Sequence, residues 1–365
     1  MKLFNVFKDK SVLITGHTGF KGSWLSLWLT TLGANVHGFS LLPNTQPNHY
    51  TIANIAELLD SQCIGDIKNY NTLQTYIHEI QPDCIFHLAA QPLVKKSYVE
   101  PIETFNTNVM GSIYLMDAIR TLNKPCSIIM ITSDKCYENS NKKEYYTEND
   151  PMGGYDPYSA SKGCAELAIS SYRRSFFPPI DINKHGISVA SVRAGNVIGG
   201  GDWADDRIIP DAVRAVIMDE YLEIRNPNAI RPWQHVLEPL SGYMLLAAKM
   251  MHTKSYIYSD GWNFGPKENE SPMTVSNIIS DFYNIWGKGE MKCDITKNHP
   301  HETDVLMLSS RKAEKLLDWK HQWNINETII KTADWYKKFY AGYDARELSL
   351  SDIKHYTSNL QKTKD

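Results

Sequence analysis

The sequence predicts an α/β fold built on a doubly wound parallel sheet, with a smaller mixed C-terminal lobe. Short apolar runs alternate with helical stretches through the first half of the 365-residue chain, and this pattern is typical of a parallel sheet covered on both faces. The first apolar run leads directly into a glycine-rich turn and an apolar helix. The chain is longer than a single core usually supports, so we expect a second lobe and a cleft between the two.

The alternation of strands and helices begins close to the N-terminus. Residues 11–15 (SVLIT) form a short apolar run typical of a buried strand, and an apolar helix is expected from Gly19 to Leu32, where Gly33 can end it. A second strand is expected over 36–41. Later strands are expected at 83–90, 126–132 and 187–192, and later helices at 69–80, 103–122 and from Pro157 past Tyr172.

The turn Thr15–Gly22 (TGHTGFKG) carries glycines at i, i+3 and i+6, immediately after a strand and at the start of a helix. Glycine permits the tight turn and lets the backbone approach a pyrophosphate. The exposed N–H groups and the positive end of the helix favour that charge. In this context the turn predicts a Rossmann-type dinucleotide-binding domain.

The alternation weakens after Gly199–Gly201, where prolines become frequent and several tryptophans occur. We interpret this change as the start of a substrate-binding lobe. The boundaries that follow are 1–192 with a return segment at 234–266 for the dinucleotide-binding domain, and 193–233 with 267–365 for the substrate-binding lobe. Only the charged tail after Ser351 looks dispensable or partly mobile.

Composition argues against several classes of protein. The formal net charge of -3 fits neither a nucleic-acid-binding surface nor a polybasic membrane anchor. Residues 1–10 lack a signal-peptide core, and no apolar run is long enough to cross a bilayer. The six cysteines and the histidines show neither disulfide nor metal-ligand spacing. We therefore expect a cytoplasmic protein with small-molecule partners and no metal.

The residues leave the choice between NAD and NADP open. Ser40 ends the second strand at the position where an acid would contact the ribose hydroxyls. Lys21, inside the turn, can reach a phosphate or lie in solvent on the helix surface. Asp66, followed by Ile67, can contact an adenine or simply form a turn.

Tyr158 and Lys162 are four residues apart on a predicted helix and therefore share one face. The ammonium can lower the pKa of the phenol from its usual value of about 10. Such spacing is common by itself, but downstream of a dinucleotide turn it predicts a base and a cation for alcohol oxidation.

Ser133, Asp134 and Lys135 follow the predicted strand 126–132, at the edge where open α/β sheets place their ligand chemistry. In a structural reading, Asp134 caps the next segment and Lys135 is solvated. In the functional reading we favour, the adjacent acid and base carry out proton transfers beyond those of a simple alcohol oxidation.

With these motifs the chain resembles the extended short-chain dehydrogenase/reductases that modify nucleotide sugars, and the resemblance implies NAD as the cofactor. The matching segments are Thr15–Gly22 for the TGxxGxxG turn, Leu88–Ala90 for the HxAA strand end, Asn108 for the helix asparagine and Tyr158–Lys162 for YxxxK. The expected cofactor contacts are Gly16, His17, Gly19, Phe20, Lys21, Gly22, Ser40, Asp66, Ile67, Leu88, Ala89, Ala90, Asn108, Tyr158 and Lys162.

Within that family, 4-epimerases carry only a serine or threonine where this chain has residues 133–135, whereas sugar 4,6-dehydratases carry a hydroxyl residue, Asp and Glu. Lys135 in place of glutamate, together with His17, Lys21 and the segment 231–236 (RPWQHV), is similar to the branch that acts on CDP-glucose. The resemblance implies oxidation at C4, loss of water across C5 and C6, and hydride return to C6. A nucleotide-sugar 4-epimerase stays as the alternative, followed by a non-catalytic dinucleotide sensor.

The resemblance gives the catalytic roles to Ser133, Asp134, Lys135, Tyr158 and Lys162. The expected contacts to CDP-glucose, or a related nucleoside diphosphate hexose, are Gln91, Ser133, Asn196, Arg207, Arg231 and His235. Arg231 suits a diphosphate because a guanidinium binds it in a two-pronged fashion, although a structural ion pair is the alternative there and at Arg193. The resemblance further implies a homodimer or a dimer of dimers, built from the helices near 103–122 and 157–175.

Overall fold

The computed structural model describes residues 4–139, 144–253, 256–268, 270, 273–293 and 305–362. The strands are β1 (Ser11–Thr15), β2 (Asn35–Ser40), β3 (Ser61–Ile64), β4 (Cys84–His87), β5 (Cys126–Ile131), β6 (Ile187–Ala194), β7 (Val197–Ile198), β8 (Tyr221–Ile224), β9 (Gln234–His235), β10 (Gly261–Phe264) and β11 (Glu290–Cys293). Seven of them form one sheet in the order β10-β6-β5-β4-β1-β2-β3. Every neighbouring pair in that sheet is parallel.

The helices are α1 (Phe20–Thr31), α2 (His49–Ile52), α3 (Tyr70–Ile80), α4 (Val94–Val99), α5 (Pro101–Phe105), α6 (Gly111–Ile119), α7 (Pro157–Ser175), α8 (Ile182–His185), α9 (Ile208–Met218), α10 (Leu237–Thr253), α11 (Val275–Trp286), α12 (Arg311–Leu317), α13 (Ile325–Tyr340) and α14 (Ala345–Lys362). The helix expected over 103–122 is divided, because a π-helical turn at Asn106–Met110 separates α5 from α6. Such turns are frequent at functional sites.

Both faces of the central sheet are covered. On one face, Leu13 and Ile128 pack with apolar residues of α3, α6 and α7, such as Leu115. On the other face, α1 and α10 pack on Ile14 and Ile129. The central strands β4 and β5 are buried at every position and are mostly apolar, because neither of their faces meets water. The predicted doubly wound α/β fold is confirmed.

The second half of the chain adds small elements around this frame. β8 pairs with β11 and β7 pairs with β9, both in parallel. The return segment expected at 234–266 contains α10 and β10, and β10 pairs with β6 at the edge of the central sheet. None of the helices in the described part of the chain combines the length and apolarity needed to span a bilayer.

The expectation of a dispensable tail after Ser351 is wrong. Helix α14 runs from Ala345 to Lys362, and Ile353 and Tyr356 on it are buried. Their spacing of three residues places them on one helix face. The Tyr356 ring lies 5.6 Å from that of Trp28 in α1, and its hydroxyl donates to Glu238 across 2.8 Å. The abundance of charged residues concealed this apolar stripe.

Candidate active site

A cavity of about 680 Å³ runs along the carboxyl ends of the central strands. Its volume is typical of a pocket for a small organic ligand. The expected cofactor contacts that line it are Gly16, Gly19, Phe20, Lys21, Gly22, Ser40, Asp66, Ile67, Leu88, Ala89, Ala90, Tyr158 and Lys162. The expected substrate contacts that line it are Gln91, Ser133, Asn196, Arg207 and Arg231. The fold therefore brings most of the predicted site residues to one place.

The glycine-rich turn has room for backbone contact only. Gly16 has a φ of +75°, and a Cβ there would lie 2.7 Å from the backbone nitrogen of Ala89. A Cβ on Gly22 would lie 2.1 Å from the carbonyl oxygen of Gly16. Gly19 is the N-cap of α1 and offers no side-chain cap to its first N–H groups. This cradle fits a pyrophosphate, which binds to such N–H groups.

At the end of β2 the cavity wall presents hydroxyl groups. The Oγ atoms of Ser40 and Thr18 lie 2.9 Å apart, and Thr18 donates to the carbonyl of Leu41 across 2.8 Å. Asp66 lines the same part of the cavity, and its Oδ1 accepts from the backbone N–H of Lys68. Asp66 thus forms a turn, as one interpretation of the sequence expected. It also lines the cavity, where the other interpretation placed it.

The first turn of helix α7 fixes the direction of its Tyr158 and Lys162 side chains. Asp156 caps it by accepting from the backbone N–H of Ser159 at 3.0 Å, and Pro157 occupies the first turn. Tyr158 and Lys162 follow on one face, and both are buried at the cavity wall. Burial lowers the pKa of Lys162 to about 8.

Burial raises the pKa of Tyr158 to about 12, whereas a hydrogen bond with Ser133 and the charge of Arg207 act in the opposite direction. The sequence predicted that Lys162 would lower this pKa. In the structure the opposing groups are Ser133 and Arg207, which approach the phenol from the segment after β5 and from the start of α9.

At the end of β5, the Ser133 hydroxyl donates to Oδ1 of Asp134 across 2.9 Å. Oδ2 of Asp134 is buried and has no hydrogen-bond partner among the described residues. Burial raises the pKa of Asp134, although Lys135, Ser133 and Arg231 act against it. Lys135 is half-buried on the cavity wall beside it. Ser133, rather than Asp134, caps the short turn that follows, by accepting from the backbone N–H of Lys135.

Cations converge on this end of the cavity. The pKa of Lys21 is lowered to about 8, mainly by burial and also by the charges of Arg207 and Lys162, while Asp134 acts in the opposite direction. Lys21 therefore lies near Asp134 and Lys162 and not on a solvated helix surface. Arg207 is paired with Asp202 at 2.8 Å.

The remaining substrate candidates lie along the same wall. Arg231 donates through Nη1 to the carbonyl of Ile230 at 3.0 Å and is largely buried. Asn196 lines the cavity, and its carbonyl accepts from the backbone N–H of Gln234. Gln91 also lines the cavity, but its side chain donates to Thr104 and to the carbonyl of Leu93 and helps to build the wall.

Three predicted contact residues do not line the cavity, and His17 is the first. Its ring lies against Gly38 of β2, where an added Cβ would be 2.6 Å away, and its Nε2 is 3.1 Å from Oε1 of Gln62. The turn directs this side chain behind the backbone and away from the ligand space. His17 therefore supports the turn against β2.

Asn108 and His235 are also behind the wall. Asn108 accepts from the backbone N–H of Gln91 at 2.8 Å and donates to Ser161 at 2.8 Å, so it joins the π-helical turn to α7. His235 is fully buried, with its ring 4.7 Å from that of Trp323. Asn108 thereby positions Gln91, which does line the cavity.

Sequence reasoning missed Glu166, a buried acid one helical turn beyond Lys162. It pairs with Arg193 through Nε at 2.9 Å and Nη2 at 2.8 Å. The structural reading of Arg193 as the partner of a core acid is therefore confirmed. The spacing of four residues between Lys162 and Glu166 was the available signal.

Sequence reasoning also missed an ion pair that lies across the mouth of the cavity. Lys95 of α4 forms an ion pair with Asp206, which lies in the loop before α9, and both residues line the cavity. Sequence offers no local signal for a contact between positions 111 residues apart. The loop from the second half of the chain is thereby connected to the first.

Comparison with known proteins agrees with this architecture. A curated CDP-glucose 4,6-dehydratase from Salmonella typhimurium is 48% identical over 97% of this chain and 98% of the relative. A dTDP-glucose 4,6-dehydratase from Bacillus anthracis, solved in complex with NAD, superimposes with a TM-score of 0.73 at 19% identity, covering 90% of this chain and 97% of that one. A UDP-glucuronic acid 4-epimerase from Bacillus cereus, solved with UDP-glucuronic acid and NAD, gives 0.75 at 22% identity, covering 90% and 100%.

The model of one protein family matches residues 13–332, which include most of the glycine-rich turn, Ser133–Lys135 and the segment from Tyr158 to Lys162. The match confirms the resemblance inferred from the motifs. The chain therefore belongs to the family described as GDP-mannose 4,6 dehydratase.

Proposed function

We propose that this protein is an NAD-dependent CDP-glucose 4,6-dehydratase, which converts CDP-D-glucose to CDP-4-dehydro-6-deoxy-D-glucose and water. The observation that carries the proposal is the placement of Ser133, Asp134 and Lys135 on the same cavity as Tyr158 and Lys162. An oxidation alone needs only the last two. The 48% identical relative is a CDP-glucose 4,6-dehydratase, which supports the same substrate for this chain.

NAD fits the cofactor half of the cavity. The cradle of Gly16, Gly19 and Gly22 would hold its pyrophosphate, and Asp66 with Ile67 would contact the adenine. Ser40, at the end of β2, has no acidic or basic residue next to it in the sequence. Bound NAD would accept the hydride from C4 of the sugar and return it to C6, so that the cofactor is regenerated in each cycle.

Tyr158 begins the reaction by accepting the proton of the C4 hydroxyl, and Ser133 hydrogen-bonds the same oxygen. Burial disfavours the phenolate, but Ser133 and Arg207 act against this effect. Lys162, one helical turn away, would bind the nicotinamide ribose. The product of this step is a 4-ketone.

The ketone makes the proton on C5 acidic, because the resulting carbanion is delocalised as an enolate. Lys135 either accepts that proton, or remains an ammonium that stabilises the enolate while a water or another group accepts the proton. The electron pair of the C5–H bond becomes the C5–C6 double bond as the C6–O6 bond breaks, and Asp134 protonates O6 so that it leaves as water. The raised pKa of Asp134 favours the protonated carboxyl that this step requires.

The second lobe would hold the diphosphate. Arg231 and Arg207 both line the cavity on that side, and guanidinium groups match phosphate oxygens in geometry and charge. Asn196 lies on the same wall. The clustered positive charge favours a dianionic ligand over a neutral sugar.

The test is incubation of the protein with NAD and CDP-glucose in deuterated water, using substrate labelled with deuterium at C4. A dehydratase transfers the C4 label to C6 and incorporates solvent deuterium at C5, and its keto product absorbs at alkaline pH. A 4-epimerase returns the label to C4 and leaves C5 unexchanged. UDP-, GDP- and dTDP-glucose run in parallel test the base, and equal turnover of all four would contradict the assignment to CDP-glucose.

We also propose a cytoplasmic homodimer. The described cysteines are unpaired, in keeping with a reducing compartment. The surface formed by α5, α6 and α7 exposes apolar side chains, with Ile102 77% and Leu167 61% exposed. Light scattering after size exclusion tests the dimer, and a monomer at every concentration would contradict it.

A further inference from the structure

A single buried carboxylate connects the segments that carry the catalytic groups. Glu166 lies on α7, one turn after Lys162, and is 4% exposed. Its hydrogen-bond donors are Thr132 Oγ1, Ser191 Oγ at 2.7 Å, Arg193 Nε at 2.9 Å and Arg193 Nη2 at 2.8 Å. Four donors on one carboxylate fix its position and orientation.

These donors come from β6 and from the residue that directly follows β5, two neighbouring strands of the central sheet. Thr132 follows β5 directly and precedes Ser133, while Ser191 and Arg193 belong to β6. Arg193 also donates through Nη1 to the hydroxyl of Tyr137 at 2.6 Å. Through Glu166, the end of β5 is tied to the helix that presents Tyr158 and Lys162.

Glu166 also supplies a fixed negative charge. Burial by itself would raise the pKa of its carboxyl, but Arg193 and the hydroxyl donors lower it below its usual value. Lys162 and Glu166 are four residues apart on α7 and share a face. The Glu166 carboxylate therefore lies near the amine of Lys162, whose charged form is disfavoured by burial.

Other groups face Lys162 from the neighbouring elements. Cys136, after β5, acts in the same direction as Glu166 on the pKa of Lys162. Lys21 of α1 is a nearby cation. His87 of β4 is held neutral, because burial lowers its pKa to about 3, and it lies 2.8 Å from Thr15. None of these other groups is a carboxylate, whereas Glu166 is one.

We propose that Glu166 is a positioning residue that holds the Ser133 strand end against α7 and keeps Lys162 in its ammonium form. This role rests on the proposed dehydratase function, in which Lys162 and Ser133 act on cofactor and substrate. Glu166 itself does not line the cavity. It acts through Thr132 on one side and through Lys162 on the other.

The charge role is tested with Glu166→Gln, and Glu238→Gln is the matched control. Glu238 is likewise fully buried and accepts from Tyr356, but it lies on α10. Lys162 is titrated directly by trace acetylation with acetic anhydride from about pH 6 to about pH 10 and quantified by mass spectrometry. The pH profile of CDP-glucose turnover is measured on the same proteins.

We expect Glu166→Gln to lower the titration midpoint of Lys162, and the alkaline limb of turnover, by about one pH unit. Glu238→Gln should leave both midpoints at their wild-type values. Equal midpoints in Glu166→Gln and the wild-type protein would overturn the charge role. If Glu166→Gln fails to fold, Glu166→Gln/Arg193→Met gives the same readout, because removing both charges leaves no unpaired buried ion.

The tethering role is tested with Thr132→Val, which removes one donor and keeps the carboxylate. We expect kcat to fall by about tenfold or more, since small displacements of catalytic groups are costly, while the titration of Lys162 is unchanged. An unaltered kcat would overturn this part. If wild-type protein shows no turnover of CDP-glucose, the proposed function fails, and the titration of Lys162 still decides the charge role.

Discussion

The Ser133 hydroxyl donates to one oxygen of the Asp134 carboxyl across 2.9 Å, and the other oxygen is buried with no hydrogen-bond partner in the described part of the chain. A buried carboxylate that lacks a partner is costly, whereas a protonated carboxyl in that place is far less so. This arrangement favours a carboxyl that gives up a proton to a leaving group.

Asp134→Asn is expected to abolish dehydration while stabilising the fold. Turnover should fall by about 10² or more, because the amide cannot protonate O6. Burial raises the pKa of Asp134, so any stability it contributes is present at acidic pH and is lost as pH rises through that value. At neutral pH the variant should therefore unfold at a higher temperature than the wild-type protein. Differential scanning calorimetry checks this, and a lower melting temperature at neutral pH would count against it.

Lys135→Ala should slow elimination more than the first hydride transfer. Either proposed role of Lys135 acts on the proton at C5, which is removed only after the ketone has formed. In a single turnover, reduced cofactor should accumulate while exchange of C5 with solvent deuterium is suppressed. Lys96→Ala is the control, because Lys96 lines the cavity but pairs with Glu100. Equal slowing of both steps would remove Lys135 from the elimination.

Activity should decline as pH rises above about 8, where Lys162 loses its proton. Burial lowers the pKa of Lys162 from 10.5 to about 8, so the unfolded chain binds more protons between these values. The contribution of Lys162 to stability therefore increases with pH over that interval while turnover falls. Parallel measurements of kcat and of urea unfolding from pH 7 to 10 test this opposition. A joint decline would indicate simple alkaline unfolding.

Reversing the charge of either Lys95 or Asp206 should raise KM, because the pair joins the two sides of the cavity mouth. Both side chains are partly exposed, so each change should alter KM by about fivefold or less. The exchange variant Lys95→Asp/Asp206→Lys restores attraction and should recover most of the affinity. Steady-state kinetics at low and high salt provide the readout, and additive losses in the exchange variant would refute the coupling.

Tyr356→Phe should destabilise the protein by about 1–3 kcal/mol, because Glu238 loses a buried donor. The ring and its contact with Trp28 are retained, so the change removes only the hydroxyl, which also lies 3.1 Å from the hydroxyl of Ser241. Urea unfolding monitored by tryptophan fluorescence gives the free energy of unfolding. Tyr343→Phe is the control, since Tyr343 is 62% exposed. Equal free energies of unfolding for the two variants would indicate that the tail is dispensable for stability.

Sequence predicted the parts of the site that depend on neighbours along the chain. The turn from Thr15 to Gly22 and the Tyr158–Lys162 pair are local patterns whose geometry follows from a strand end or a helical period. The pairs Glu166–Arg193 and Lys95–Asp206 join positions 27 and 111 residues apart, so only the folded topology reveals them.

The sequence also did not predict the direction in which some side chains point. His17 lies inside a correctly predicted turn, yet its ring points behind the backbone toward Gly38. Asn108 was correctly placed on a helix, but the π-helical turn aims it at Gln91 and Ser161. Such orientations depend on backbone detail and on packing that one-dimensional motifs do not encode.

Helix α14 is synthesised after every strand of the central sheet, yet its Tyr356 contacts Trp28 in the helix of the glycine-rich turn. A nascent chain still on the ribosome can build much of the sheet while this helix is awaited. Until α14 has been synthesised, Trp28 of α1 lacks this contact. The packing around α1 is therefore completed only when the last helix of the described residues has formed.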